Sequence, residues 1–143
     1  MKKSYRVDRI FVDTSYVIAL INRRDTQHDE ARALAASLGD AELVTTDAVL
    51  LELDNALARG YRRAASAAIS HLLSAPNVTV FRVDLEALAN ALDLFTSHDD
   101  KEWSLVDCLS FGVMRATGTT QALTADHHFE QAGFRALLRK TSP

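Results

Sequence analysis

Four acidic side chains occupy settings that ordinary surface chemistry does not call for. Asp13 ends the short apolar run "IFVD", and Asp126 ends "ALTAD". Asp107 lies inside "SLVDCLSFGVMRA", a stretch apolar on nearly every side, where it shares a helical face with Phe111 and Met114. A helix apolar all round is normally buried, and an unpaired buried charge is costly. Glu52 lies in "LLELDNALARG", a helical pattern that directly follows a strand pattern. Each acid also has a plain structural explanation. Asp13 and Asp126 can cap the helices after them, and Ser104 and Asp107 have capping-box spacing. Glu52 groups with Ala48 and Asn55 toward solvent.

As a set they allow a different chemistry. Carboxylates about 6 Å apart repel by roughly 3 kcal/mol per pair at an effective dielectric near 20. Several such pairs rival the stability of a whole domain, about 5–15 kcal/mol. A converged set therefore holds protons or binds a hard divalent cation, with oxygen donors suiting Mg²⁺ or Mn²⁺ better than zinc.

The elements that would bring the four together can be read from periodicity and turn residues. "RIFVDT", "AELVTT", "NVTVFRV", "TTQALTAD" and "FRALL" read as short strands. Helical patterns fill the intervals: "SYVIALINRR", "HDEARALAASLG", "DAVLLELDNALARG", "YRRAASAAISHLLSA", "DLEALANALDLFTSH" with Asp84 as N-cap, the segment from Ser104, and the short "HHFEQAG". Such alternation predicts an α/β three-layer sandwich, with a mainly parallel central sheet flanked by helices. Ligands in such sheets collect outside the carboxyl ends of the strands, where Asp13 and Asp126 fall. Gly and Pro are scarce and no linker or repeat is evident, so residues 1–143 read as one domain.

Composition narrows the class. The 143 residues are 48% hydrophobic, which suits a self-sufficient core. Cys108, the single cysteine, excludes an internal disulfide and reads as a small core residue. The amino end has two lysines and an apolar run, but Arg6, Asp8, Arg9 and Asp13 interrupt it. No leader or membrane span is expected, and the cytoplasm is the expected location. With 19 acidic against 16 basic residues the net charge is −3, which counts against a generally basic nucleic-acid binder. Basic residues nevertheless cluster at Arg23 and Arg24, at Arg59, Arg62 and Arg63, and at Arg135, Arg139 and Lys140.

The motifs "FVDTS", "LLE" after "LVTTD", "WSLVDCLSF" and "ALTADHHF" resemble, in order, the four acidic motifs of PIN-domain ribonucleases. The resemblance is closest to the small VapC-type toxins of toxin–antitoxin pairs and spans nearly the whole chain. It implies that Asp13, Glu52, Asp107 and Asp126 are the catalytic acids. It also implies a magnesium-dependent endoribonuclease, usually a homodimer and often restrained by a small antitoxin. Val106 stands where the family often has threonine. On this reading Asp13, Asp107 and Asp126 hold the metal, Glu52 positions or deprotonates a water or holds a second metal, and Arg59, Arg62 and Arg63 contact the RNA backbone.

Other readings fit less well. A haloacid-dehalogenase-like phosphatase needs a second Asp where this chain has Ser15, and a receiver-like module needs a lysine that "ALTAD" lacks. His127 and His128, adjacent on a short helix, are expected to point apart and to line the rim rather than bind zinc. Trp103 is expected to anchor packing rather than stack on a base. The alternative within the family is a catalytically silent PIN-fold RNA-binding or assembly module.

Overall fold

The computed structural model describes residues 9–139. The amino-terminal residues 1–8 and Lys140, the last member of the third basic cluster, lie outside the described residues. In chain order the elements are β1 (Arg9–Val12), α1 (Thr14–Ile21), α2 (His28–Ser37), β2 (Glu42–Thr46), α3 (Asp47–Leu57), α4 (Arg62–Ser74), β3 (Val78–Phe81), α5 (Leu85–Ser97), α6 (Leu105–Thr117), β4 (Gln121–Leu123), α7 (His127–Gln131) and β5 (Arg135–Ala136).

All five strands pair in parallel, in the order β3-β2-β1-β4-β5. This is the predicted three-layer arrangement, and β1 shows how it arises. Ile10 and Val12 turn to one face, where they join Tyr16, Val17, Ala31, Leu53 and Leu57. Phe11 turns to the other, against Val44, Cys108, Phe111, Met114 and Phe129. Two faces buried from one strand require apolar residues at every position, which "IFV" supplies.

The chain leaves β1 in opposite directions. One half builds outward through β2 to β3, and the other through β4 to β5. The carboxyl ends of β1 and β4, side by side at Val12 and Leu123, therefore mark the point where strand order reverses. Asp13 and the segment Thr124–Asp126 emerge there.

Two expectations change in detail. The "SYVIALINRR" helix stops at Ile21, because Asn22 takes an extended conformation and its side chain accepts bonds from Arg24 N–H (3.0 Å) and Tyr61 Oη (2.9 Å). Helix α6 is not apolar all round. Cys108, Leu109, Ser110, Phe111 and Met114 are buried, whereas Gly112, Arg115 and Ala116 are exposed. Gly118 ends it in the left-handed region at φ 68°, which suits a residue without Cβ.

Candidate active site

Asp13 follows β1 directly and is 6% exposed. It occupies the N-cap position of α1, yet its carboxylate makes no capping bond. Its Oδ2 instead accepts from the hydroxyl of Thr124 at 2.7 Å and from that of Ser15 at 3.1 Å. Ser15 Oγ also accepts the Ala125 N–H at 3.0 Å, and Thr124 Oγ1 accepts the Asp126 N–H at 3.0 Å. These two hydroxyls lock the end of β1 to the end of β4. Burial, the largest influence, pushes the Asp13 carboxyl up to about 6; the Thr124, Thr14 and Ser15 hydrogen bonds pull it down, and the charge of Asp107 adds to the rise. No lysine or arginine pairs with it among the described residues.

Asp107 and Asp126 fulfil their structural roles and a further one. Asp107 closes the capping box of α6: its Oδ2 accepts the Ser104 N–H at 3.0 Å, and its own N–H donates to Ser104 Oγ at 3.0 Å. Asp126 caps α7 through the His128 N–H at 2.9 Å. The two carboxylates meet at the ring of His128, whose Nδ1 lies 3.0 Å from Asp107 Oδ2 and 3.3 Å from Asp126 Oδ1. A capping aspartate need not be only a cap.

Three of the four acids are thus linked: Asp13 to Asp126 through Thr124, and Asp126 to Asp107 through His128. Glu52 lies on the second turn of α3, half-buried, and no hydrogen bond or ion pair joins it to a described residue. Helix α3 starts at the carboxyl end of β2, the strand beside β1, so Glu52 belongs to the same side of the sheet.

The two histidines do not point apart. Their ring centroids are 4.5 Å apart, and both Nδ1 atoms approach Asp126 Oδ1, that of His127 at 3.6 Å. The residues Asp126, His127 and His128 bring one potential ligand atom each within 4.8 Å of one another. The capping role of Asp126 explains this, because drawing its carboxylate back over the start of α7 places it among the first side chains of that helix. Trp103 behaves as a packing residue: its Nε1 donates to Gln131 Oε1 at 3.0 Å, and its ring stacks on His98 and meets Phe111 edge-on. Cys108 is fully buried, and burial pushes its thiol up.

Sequence reading missed Thr124 and the linking role of His128, and it used Ser15 only to exclude a phosphatase. Their signal was faint: a hydroxyl two residues after one candidate acid, a hydroxyl two residues before another, and an imidazole two residues beyond.

The donor set suits a divalent ion. Asp13, Asp107 and Asp126 supply oxygen donors, and the buried Asp13 carboxylate has no compensating cation among the described residues.

Comparison with known proteins gives consistent results. The family model described as "PIN domain" matches residues 10–135. The "23S rRNA-specific endonuclease VapC20" of Mycobacterium tuberculosis, strain H37Rv, is 39% identical over 127 residues, covering 87% of this chain and 95% of that protein; the same match is found in strain CDC 1551. The crystal structure of the M. tuberculosis VapC20, described as a "Sarcin-Ricin loop cleaving toxin", superposes with a TM-score of 0.80 at 35% identity, over 87% of this chain and 95% of that one.

Proposed function

The chain belongs to the PIN domain family, and from that premise we propose that it is a metal-dependent endoribonuclease, the toxin of a toxin–antitoxin pair. What carries the reading is the link, at the carboxyl edge of the sheet, of buried Asp13 to Asp126 and Asp107 through Thr124 and His128. A structured RNA hairpin of the sarcin–ricin type is the substrate to test first, because the similar proteins are named for that activity.

Asp13, Asp107 and Asp126 would hold Mg²⁺ or Mn²⁺. When bound, such an ion polarises a phosphodiester oxygen and makes a neighbouring water more acidic. Thr124 and Ser15 hold the Asp13 carboxylate still, while Ser104 and His128 do the same for Asp107. Glu52, whose carboxylate no described residue neutralises or fixes, would take a proton from the attacking water or hold a second ion. Attack by water leaves a 5′-phosphate and a 3′-hydroxyl.

Two partners complete the reading. Helix α5 leaves Leu85, Leu88, Leu92 and Phe95 exposed at spacings of three, four and three, a self-complementary seam for a second copy of this chain. The family resemblance implies a small antitoxin as well. Among the described residues no helix is long and apolar enough to cross a membrane. The RNA substrate argues for the cytoplasm.

The test is cleavage of a hairpin RNA by wild type and Asp13→Asn, with Mg²⁺, Mn²⁺ or chelator, followed by end-group analysis. Wild type alone should cut, only with metal, leaving 5′-phosphate ends. A 2′,3′-cyclic phosphate would show that the RNA hydroxyl, not water, attacks. Equal cutting by both preparations would point to a contaminating nuclease, and a wild type that binds RNA without cutting it would favour the silent module.

A further inference from the structure

One imidazole lies where two carboxylates from different elements meet. His128 Nδ1 is 3.0 Å from Asp107 Oδ2, on α6, and 3.3 Å from Asp126 Oδ1, at the start of α7. Both of those oxygens already accept a backbone N–H, from Ser104 and from His128 itself. The other oxygens, Asp107 Oδ1 and Asp126 Oδ2, accept no hydrogen bond from a described residue. A carboxylate has two acceptor atoms, so engaging one fixes the direction of the other.

The ring is held firmly enough to act as a strut. Its side chain is only 16% exposed, whereas that of His127 is 53% exposed. The next residue, Phe129, is fully buried against Phe11 and Phe111, which fixes the backbone from which the ring projects.

We propose that His128 is a positioning residue for the cation site: its ring, hydrogen-bonded through Nδ1 to Asp107 and in close contact with Asp126, holds the two carboxylates together and turns their free oxygens toward one ion, without the ring touching that ion. The proposal rests on the metal-site reading above. Ligation through Nδ1 would lose both contacts to the carboxylates, whereas ligation through Nε2, which carries the lone pair when Nδ1 donates, would keep them and is the outcome that nitrogen modulation reads out. Partners that orient metal ligands in this way typically change affinity about 10- to 100-fold when removed.

The experiment titrates Mn²⁺ into wild type, His128→Ala and His128→Asn, with Mn²⁺ electron paramagnetic resonance on the loaded proteins and thermal unfolding in chelator as a folding control. His128→Ala should bind Mn²⁺ about 10- to 100-fold more weakly while staying folded without metal. His128→Asn should recover most of that loss, since an asparagine amide places a donor N–H close to the position of Nδ1. The wild-type spectrum should lack the modulation of a directly bound imidazole nitrogen. Unchanged affinity in His128→Ala, failure of the Asn rescue, or strong nitrogen modulation would each overturn the proposal alone. Absence of Mn²⁺ binding by wild type would instead overturn the metal-site reading, and this proposal with it.

Discussion

The hydroxyl of Thr124 donates to Oδ2 of Asp13 at 2.7 Å, across 111 residues of chain and at the boundary between two adjacent strands. This bond lowers the cost of burying the Asp13 charge without cancelling it, since the carboxyl still rises from 3.8 to about 6. In the metal-free protein the folded state therefore keeps this proton to higher pH than the unfolded chain does. Between those two values folding takes up a proton, so stability falls as pH rises through the window and stays lower above it. The shift corresponds to about 3 kcal/mol. In chelator, Asp13→Asn should thus gain on wild type from pH 4 to pH 7, as read from urea midpoints. A wild-type-to-variant difference that stays flat across that range would contradict the burial argument.

Two threonines flanking the site should respond in opposite directions to the same substitution. Thr124→Val removes a donor to a buried carboxylate and should cost about 1.5–3 kcal/mol at pH 7. The cost should shrink at pH 4, where Asp13 is protonated. Thr14 Oγ1, by contrast, is buried with no hydrogen-bond partner among the described residues. Thr14→Val removes an unsatisfied group from a site of the same shape and should be neutral or stabilising by about 1 kcal/mol. Equal losses in the two variants would mean that Thr14 has a partner in solution.

The sheet was legible because β1 and β2 are short, apolar and bounded by turn formers, and because apolar spacing in α3 marks its buried face. The acids stood out for the same reason: they interrupt or end apolar runs. The geometry between them was not legible. Whether Asp126 bends back over α7 depends on a single capping bond, and that bond decides where both histidine rings fall. The opposite error arose at Asp13, where capping was a fair expectation but two hydroxyls compete for the carboxylate and win. Local pattern finds the ligand candidates. Long-range hydroxyl contacts determine how they are held.

The hydrogen bond from Tyr61 Oη to Asn22 Oδ1 joins the loop bearing Arg23 and Arg24 to the turn that bears Arg59 and leads into Arg62 and Arg63 at the start of α4. None of the five arginines forms an ion pair with a described residue, and all are exposed. If they carry RNA phosphates, binding of single-stranded RNA by Asp13→Asn should weaken linearly in log salt. Replacing Arg59, Arg62 and Arg63 by Ala should lower that slope by about 2, at about 0.7 per phosphate contact. A slope identical to that of the parent would make these residues ordinary surface.

The seam on α5 offers the most direct test of assembly. Leu85 is 85% exposed, Leu92 50% and Phe95 43%, on a helix whose only fully buried residue is Ala91. An apolar row at three-four-three spacing is what a paired helix uses, and a lone chain gains nothing by leaving it in water. Each such side chain, once buried, contributes about 1.5–3 kcal/mol, so a few of them across a two-fold contact can hold two chains together at micromolar concentration. Leu92→Glu puts a charge within that row and, in a two-fold contact, does so on both chains, so its effect is counted twice. Light scattering should find wild type as a dimer and Leu92→Glu as a folded monomer with unchanged circular dichroism. If Leu92→Glu remains a dimer, the two chains meet on another face, and the alanine-rich helix α4 becomes the surface to mutate next.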